Sequence, residues 1–226
     1  MENHTEMRLW REHFAKCVIE DHFPEIGPLT KAERPDLHGD HIGIEVVQAR
    51  PKWFEKCDSM IENLCATRIE AQRAEQMGDV NKAKKCRKKI SELKRKNTPD
   101  PEDGVIICHL PTDFPAQSEQ AVVNGIRKKL RLLNKGNYDS FDQIGLFLWS
   151  TISYSDQNAS IDWKQLVTRG CSVDQENYCK HFDFFFVFCE PTSYVVHLSG
   201  SGDFIESFHV NASKYDSQLK ALSRDS

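Results

Sequence analysis

Two acidic residues, Asp36 and Glu45, stand on either side of a turn signal in the stretch RPDLHGDHIGIEVVQA. The Gly-Asp pair at 39–40 favours a tight turn, and apolar residues alternate with others from 42 to 46, as they do in a strand. A turn here brings Asp36 back beside Glu45 on the neighbouring antiparallel strand. Two carboxylates that close repel each other unless a cation lies between them, and Mg²⁺ prefers such oxygen ligands. The pair therefore predicts a site for a divalent cation, with Asp36 and Glu45 as its ligands.

A cation held in this way polarises a phosphoryl oxygen and lowers the pKa of a bound water, so it supports hydrolysis of a phosphodiester near neutral pH. Alternation along the strand places Glu45 on the face opposite the apolar side chains. The alternative interpretation of both acids is structural: Asp36 caps the turn, and Glu45 pairs with a surface lysine. His38 and His41 in the same stretch are further candidates for this site or, alternatively, solvated histidines beside a turn.

The motif RPDLHGDHIGIEVVQA resembles the signature of the PD-(D/E)XK nuclease superfamily, with Asp36 and Glu45 at the positions of its two acids. The resemblance implies a restriction-endonuclease-like fold, a Mg²⁺ or Mn²⁺ cofactor and metal-dependent cleavage of DNA. The superfamily has a lysine two residues after the second acid, where this chain has Val47. Valine can neither orient a water molecule nor stabilise developing charge, so a catalytic site here needs another residue for that task.

Two residues are candidates for the place of the missing lysine. Gln48 resembles the glutamine that some members of the superfamily carry instead, but it lies one position later and reaches the Glu45 face only if a bulge turns it. Lys129 resembles the lysine of members in which this residue has moved to a nearby helix. On its own predicted helix Lys129 lies about 60° from Ile126, as close to the centre of the apolar stripe as Val123 is on the other side. The alternative interpretation of Lys129 is a boundary lysine whose stem packs on that stripe while its ammonium reaches water.

A basic run at 80–96 (VNKAKKCRKKISELKRK) carries nine positive charges and one negative, although the chain has a net charge of −4. Nucleic acid suits such a run, because each phosphate contact releases condensed counterions. We expect this partner to be DNA, bound through backbone phosphates without reading of sequence. The residues assigned to the contact are Lys84, Lys85, Arg87, Lys88, Lys89, Lys94 and Arg95. The alternative is a solvated helix face.

The elements that must position these residues can be predicted from hydrophobic periodicity. Helices are expected at 5–21, 53–77, 80–96, 115–134 and 161–168, and strands at 42–46, 105–109, 144–150, 182–189, 194–199 and 204–210. Such a mixture indicates an α/β or α+β fold in which a central mixed sheet is flanked by helices. We expect a single nuclease-like domain over residues 1–226, with a basic helical hairpin inserted at about 53–97. The run at 182–189 predicts a central strand buried on both faces, with Phe182, Phe184, Phe186 and Phe188 on one face and Phe185 on the other.

Composition excludes several classes of protein. The chain has 39% hydrophobic and 28% charged residues and no long apolar stretch, so it is neither a disordered nor a membrane protein. Its eight cysteines form no Cys-x-x-Cys pair, and no export signal is visible. We therefore expect reduced thiols, a cytoplasmic location and no membrane partner. A zinc finger, a Gly-rich phosphate loop and a serine hydrolase are excluded because their motifs are missing.

These features predict a Mg²⁺- or Mn²⁺-dependent phosphodiesterase, a nuclease acting on DNA, in which Asp36 and Glu45 hold the metal and Lys129 or Gln48 assists the attacking water. The alternative is a nuclease-like scaffold that has lost catalysis, as Val47 indicates, and that binds nucleic acid or a protein. In a third interpretation, apolar residues of the hairpin zip against a second copy and make a homodimer.

Overall fold

The computed structural model describes residues 2–97, 112–136, 138, 141–155, 161–172 and 178–215. The helices are α1 (Glu2–His22), α2 (Lys52–Gln76), α3 (Val80–Asn97), α4 (Phe114–Lys135) and α5 (Trp163–Cys171), with 3₁₀ turns at Pro24–Ile26 and Glu190–Thr192. The strands are β1 (Thr30–Lys31), β2 (Leu37–His38), β3 (Ile42–Ala49), β4 (Gln143–Ser150), β5 (Phe184–Cys189), β6 (Tyr194–Ser199) and β7 (Phe204–His209). The chain divides into two units, residues 1–50 with 115–226 and residues 51–114. The strand expected at 105–109 lies outside the described residues.

The strands form one sheet in the order β1-β2-β3-β4-β5-β6-β7. The pairs β1/β2 and β2/β3 are antiparallel, β3/β4 and β4/β5 are parallel, and β5/β6 and β6/β7 are antiparallel again. Each parallel connection includes a helix, as the geometry of a crossover requires. The prediction of a central mixed sheet flanked by helices is therefore confirmed.

Helices cover both faces of the sheet. α1 packs on one face, where Phe14 and Ile19 are fully buried against the phenylalanines of β4 and β5. α4 and α5 pack on the other face, with Ile126 and Leu166 in the second core. Because both faces are covered, all residues of β5 are buried, and the strand is a continuous apolar run without alternation.

For two residues, the surroundings in the structure differ from those predicted by strand alternation. Alternation predicts that Glu45 faces away from the apolar side of β3. The face of β3 that carries Glu45 is also covered, however, because Val47 and Ala49 on this face belong to the core beneath α4. Alternation also predicts Phe182 on the face of Phe184, whereas Phe182 packs in the core beneath α4. The reason is that β5 begins only at Phe184, so the period of two does not extend back to Phe182.

The second unit contains the predicted hairpin of α2 and α3. Gly78 in the turn has φ 73°, a left-handed conformation that favours glycine. The carboxylate of Asp79 accepts a hydrogen bond from the backbone N–H of Lys82 at 2.9 Å and so caps the start of α3. Small buried side chains from both helices line the hairpin: Ala71, Ala74, Ala83 and Cys86. In the described part of the chain, no helix combines the length and the apolar character needed to cross a membrane.

Candidate active site

Glu45 lies on β3 and Asp36 directly precedes β2, and the two predicted acids lie on the same face of the sheet. In the antiparallel register of β2 and β3, Leu37 pairs with Ile44, so Asp36 is the neighbour of Glu45. Leu37 and Ile44 belong to the core beneath α1. Alternation then places Asp36 and Glu45 on the opposite face, beneath α4. Both acidic side chains are almost completely buried there.

Lys129 brings a positive charge from α4 to this pair. Its Nζ donates to Oδ2 of Asp36 at 2.8 Å and to Oε2 of Glu45, and its side chain is only 13% exposed. The helix comes close to β3 at Gly125, where an added Cβ would lie 3.4 Å from Cβ of Ala49. Lys129 lies one helical turn later on the same face of α4, above the acids. We call Asp36, Glu45 and Lys129 the acid–lysine cluster.

A backbone N–H also contacts one of the two acids. The backbone N–H of Val46 donates to Oδ2 of Asp36 at 2.8 Å. Tyr138, in the loop after α4, lies near the Glu45 carboxylate. Nothing in the sequence pattern marks Tyr138, because a loop residue has no periodicity that would direct its side chain.

Burial and nearby charges shift the pKa values of the two acids in opposite directions. Burial raises the pKa of Asp36, but the Lys129 ammonium and the hydrogen bond from Val46 outweigh it, so this pKa lies below its ordinary value. Burial also raises the pKa of Glu45; the negative charge of Asp36 adds to this effect, and the pKa stays above its ordinary value despite Lys129. Burial, together with the nearby Glu45 carboxylate, raises the pKa of Tyr138, so the phenol stays protonated at neutral pH. Asp36 is therefore the stronger acid of the pair.

Gln48, the other candidate for the missing lysine, does not reach the cluster. β3 pairs with β4 without interruption over Ile42–Ala49, so no bulge turns the side chain. Gln48 therefore shares the α1 face with Val46, opposite to Glu45. Val47, at the position of the superfamily's lysine, is buried in the core beneath α4.

The two histidines of the motif have different surroundings. The side chain of His41 is 82% exposed, and its Nδ1 lies 3.2 Å from the carboxylate of Asp142. His38 lies on the same face as Asp36, and its ring centroid is 4.9 Å from that of Phe141. The Nε2 atom of His38 is buried and has no hydrogen-bond partner among the described residues. His41 is thus a surface residue, whereas His38 is half-buried on the face of the sheet that carries Asp36.

The two carboxylates of the cluster are oxygen donors of the kind that a hard divalent cation prefers. The carboxylates of Asp36 and Glu45 converge on one point, where the Lys129 ammonium lies. Within the ranges that the structure describes, no group of three or more His, Cys, Asp or Glu side chains is placed to hold a metal ion. An ion at this point would have two carboxylate ligands and would have to displace the Lys129 ammonium from between them.

The basic residues assigned to phosphate contacts lie on α3 of the second unit. Four of them are exposed: Lys84, Lys85, Lys88 and Lys89. Arg87 is also exposed, but its guanidinium donates to the carboxylate of Glu75 on α2 at 2.6 Å. Lys94 and Arg95 belong to α3, and their side chains lie outside the described part of the structure. The lysines thus present positive charge to solvent, while Arg87 is already paired.

The chain matches no model of a known protein family. No curated protein and no solved structure matches it significantly. Its function is therefore inferred from the geometry of the acid–lysine cluster and from the charge of α3.

Proposed function

We propose that the chain is a metal-dependent phosphodiesterase, a nuclease that acts on DNA, with Asp36 and Glu45 as ligands of a Mg²⁺ or Mn²⁺ ion. The observation that carries this proposal is the convergence of two buried carboxylates and Lys129 on one face of the sheet. Two acids from neighbouring strands provide oxygen ligands for a hard cation. The lysine provides positive charge for a phosphoryl group.

The order of elements around the cluster supports a restriction-endonuclease-like fold. α1 precedes the antiparallel β1-β2-β3 segment, and α4 leads into β4, which is parallel to β3. Glu45 lies on β3, Asp36 immediately precedes β2, and Lys129 lies on α4. Lys129 thus occupies the helix position at which some members of the superfamily carry their lysine. The site therefore keeps a lysine charge although Val47 stands at the usual lysine position.

Each residue of the cluster has a separate task in this proposal. A bound divalent ion lowers the pKa of a water and polarises a phosphoryl oxygen. Asp36 is ionised at neutral pH because its pKa is lowered, and it offers a permanent carboxylate. Glu45, whose pKa is raised, becomes the second ligand when it is deprotonated. The Lys129 ammonium stabilises the negative charge that develops on the phosphoryl group.

The exposed lysines of α3 support DNA as the substrate. Lys84 and Lys88 are four residues apart, as are Lys85 and Lys89, so they form two adjacent rows along the helix. Rows of ammonium groups bind backbone phosphates whatever the base sequence. We therefore expect affinity for DNA of any sequence and a strong dependence of that affinity on salt.

The proposal is tested with Asp36→Asn and Glu45→Gln in the full chain, which remove charge and keep volume. Asp142→Asn, at an exposed acid outside the cluster, is the control. Each protein is incubated with Mg²⁺ or Mn²⁺ and plasmid, linear duplex, single-stranded DNA or RNA. We expect the wild type and the control to cleave DNA, and both cluster variants to lose cleavage while they keep their circular dichroism spectrum. Cleavage that persists in both variants would eliminate the cluster as the active site.

A second candidate function is a binding module on the same scaffold without catalysis. The observation that favours it is burial: Asp36 is 4% and Glu45 2% exposed, so the cluster is a neutralised ion triad with little access for a substrate. This module binds DNA through α3 equally well with Mg²⁺ or EDTA and cleaves nothing. Calorimetric titration with Mn²⁺ separates the two functions, because only the enzyme has an ion site that Glu45→Gln abolishes.

A further inference from the structure

One serine interrupts the basic surface of α3. Ser91 is exposed and follows Arg87, Lys88 and Lys89, which are exposed as well. Positive charges therefore stand four, three and two residues before it. Because residues three and four apart are neighbours on the surface of a helix, Ser91 lies beside Arg87 and Lys88. A negative charge added to Ser91 would thus lie next to the lysines that are proposed to bind DNA.

The residues before Ser91 form the pattern that basophilic protein kinases recognise. Kinases select substrates by charge, and a basophilic kinase binds cations shortly before the acceptor serine. Arg87 is paired with Glu75 at 2.6 Å, but this ion pair is exposed, so it opposes recognition only weakly. Ser172, an exposed serine directly after α5, has one cation in the same range, Arg169. Ser91, with three cations, is therefore the better acceptor of the two.

The surroundings of Ser91 allow this part of α3 to open. Oγ of Ser91 donates to the carbonyl of Arg87 at 3.1 Å. A bond of this kind, from a serine to the preceding turn, slightly destabilises a helix. α3 ends at Asn97, six residues after Ser91, and exposed helix ends open at little cost in free energy. A kinase that binds its substrate as an extended chain therefore has to open about three turns, from Arg87 to the end of α3.

We propose that Ser91 is a phosphorylation site and that its phosphate weakens the binding of DNA to α3. This inference rests on the proposed function, because it takes DNA as the ligand of α3. The co-reactants are ATP and a basophilic kinase. Oγ of Ser91 attacks the γ-phosphorus of ATP, and an O–P bond forms while the bond from this phosphorus to the bridging oxygen of ADP breaks. The hydroxyl proton passes to a base of the kinase.

The phosphate acts on DNA binding through its charge. A phosphoserine carries a charge of about −1.5 to −2 at pH 7 and three acceptor oxygens. On α3 it pairs with Lys88 and Arg87, and it repels the phosphates of DNA. Neutralisation of about two positive charges removes about two phosphate contacts. The slope of log K against log salt should therefore fall by about 1.8, and the affinity for DNA should fall at least about tenfold at about 0.1 M salt.

Phosphorylation of the full chain tests the inference. The protein is incubated with Mg²⁺, ATP and the catalytic subunit of cAMP-dependent protein kinase, and peptide mass spectrometry maps the modified residues. EDTA is then added, and fluorescence anisotropy measures binding to a labelled DNA duplex at several salt concentrations. We expect phosphate on Ser91 and a loss of affinity in the wild type, and neither of these in Ser91→Ala.

Ser172→Ala is the matched control. Ser172 is also exposed, and its Oγ donates to the carbonyl of Arg169 at 3.2 Å, as that of Ser91 does to Arg87. It lies outside α3, so this variant should lose affinity for DNA on phosphorylation as the wild type does.

The outcomes separate the inference from the proposed function. If Ser91 stays unmodified in the full chain, the proposed site is wrong. If Ser91 is phosphorylated but the affinity and the slope do not change, the regulatory role is wrong, and the proposed binding of DNA stands. If the unmodified wild type binds no DNA, the regulatory role fails together with DNA as the proposed substrate, whereas the mass of the Ser91 peptide still shows whether the serine is modified.

Discussion

Replacement of Lys129 by methionine tests the acid–lysine cluster directly. Methionine keeps an unbranched stem that fills the same space beneath α4 and removes the positive charge. In the wild type, Nζ of Lys129 donates to both Asp36 and Glu45, and all three side chains are largely buried. The variant leaves two carboxyl groups side by side, away from water and without this ammonium, which is a strongly unfavourable arrangement.

Protonation of one carboxyl limits the cost of this change. A close pair of buried carboxyls shares one proton, as two carboxylates cannot both ionise at short distance. For a carboxyl with an ordinary pKa of about 4.3, uptake of that proton costs about 3.7 kcal/mol at pH 7 and about 1 kcal/mol at pH 5. We therefore expect Lys129→Met to lower the free energy of unfolding by about 4 kcal/mol at pH 7 and by about 1 kcal/mol at pH 5.

Proton binding gives the sign of this pH dependence. In the variant, the folded state keeps the shared proton at pH values where the unfolded chain has lost it, so stability falls as the pH rises from 5 to 7. In the wild type, Lys129 lowers the pKa of Asp36, and this contribution to stability is present at neutral pH and is lost in acid. The raised pKa of Glu45 acts in the opposite direction, and its contribution is lost as the pH rises. The difference between variant and wild type is therefore expected to be larger at pH 7.

Urea unfolding in EDTA at pH 5 and pH 7, followed by circular dichroism, measures this difference. Lys128→Met, at an exposed neighbour on α4, is the control and should change stability by less than about 0.5 kcal/mol. Adding Glu45→Gln to Lys129→Met should recover much of the loss at pH 7, because it removes one of the two carboxylates. A loss for Lys129→Met that is equal at both pH values would refute the reasoning, since proton uptake would then play no part.

Two predictions concern residues outside the cluster. Replacing Lys84 and Lys88 of α3 by alanine should weaken DNA binding for all sequences alike and reduce the slope of log K against log salt by about 1.8, at about 0.9 per phosphate contact. As a control, replacing two exposed lysines of α4 by alanine should leave this slope unchanged. Fluorescence anisotropy of labelled DNA at several salt concentrations measures the slope. Among the thiols, Cys179 is exposed, whereas burial raises the pKa of Cys171 to about 11 and also raises that of Cys189. Iodoacetamide at neutral pH should therefore label Cys179 before the other two, and peptide mass spectrometry that finds Cys189 labelled first would contradict the buried position of β5.

The sequence predicts the elements well where one periodic pattern is long. The helix expected at 80–96 is α3, and the strand expected at 194–199 is β6. The first and last residues of each element depend on local contacts, which hydrophobic periodicity does not predict. The helix expected from residue 161 begins at Trp163, because the carboxylate of Asp162 caps it by accepting from the N–H of Gln165 at 2.8 Å.

The candidate site is only partly predictable from the sequence. The turn between β2 and β3 fixes the neighbourhood of Asp36 and Glu45, because strand alternation is a local property. The contact of Lys129 with the acids depends instead on the distance between α4 and β3, which a helical wheel does not give. The position of Tyr138 depends further on the path of a loop, so no sequence pattern points to this residue.

α4 passes close to β3 at a glycine, and glycines of two helices make a matched pair of tests. At Gly125 an added Cβ would lie 3.4 Å from Cβ of Ala49 and 3.5 Å from Cγ1 of Val47, which is ordinary contact. Gly125→Ala should therefore be tolerated and gain up to about 1 kcal/mol of helix propensity. At Gly170 of α5 an added Cβ would lie 2.7 Å from Cβ of Ile126. Gly170→Ala should thus cost about 1–3 kcal/mol, because one helix has to shift.

A larger residue at position 125 separates the effect of helix position from that of charge. Gly125→Leu keeps Lys129 but forces α4 away from β3, so the ammonium should lose contact with Asp36 and Glu45. The variant should then lose stability by overpacking at both pH values, and by about 3 kcal/mol more at pH 7 than at pH 5, the same increment as Lys129→Met. Urea unfolding at the two pH values measures this increment. If it is zero, the lysine follows the acids by rotamer changes alone, and the approach of α4 to β3 at Gly125 does not control the charge of the cluster.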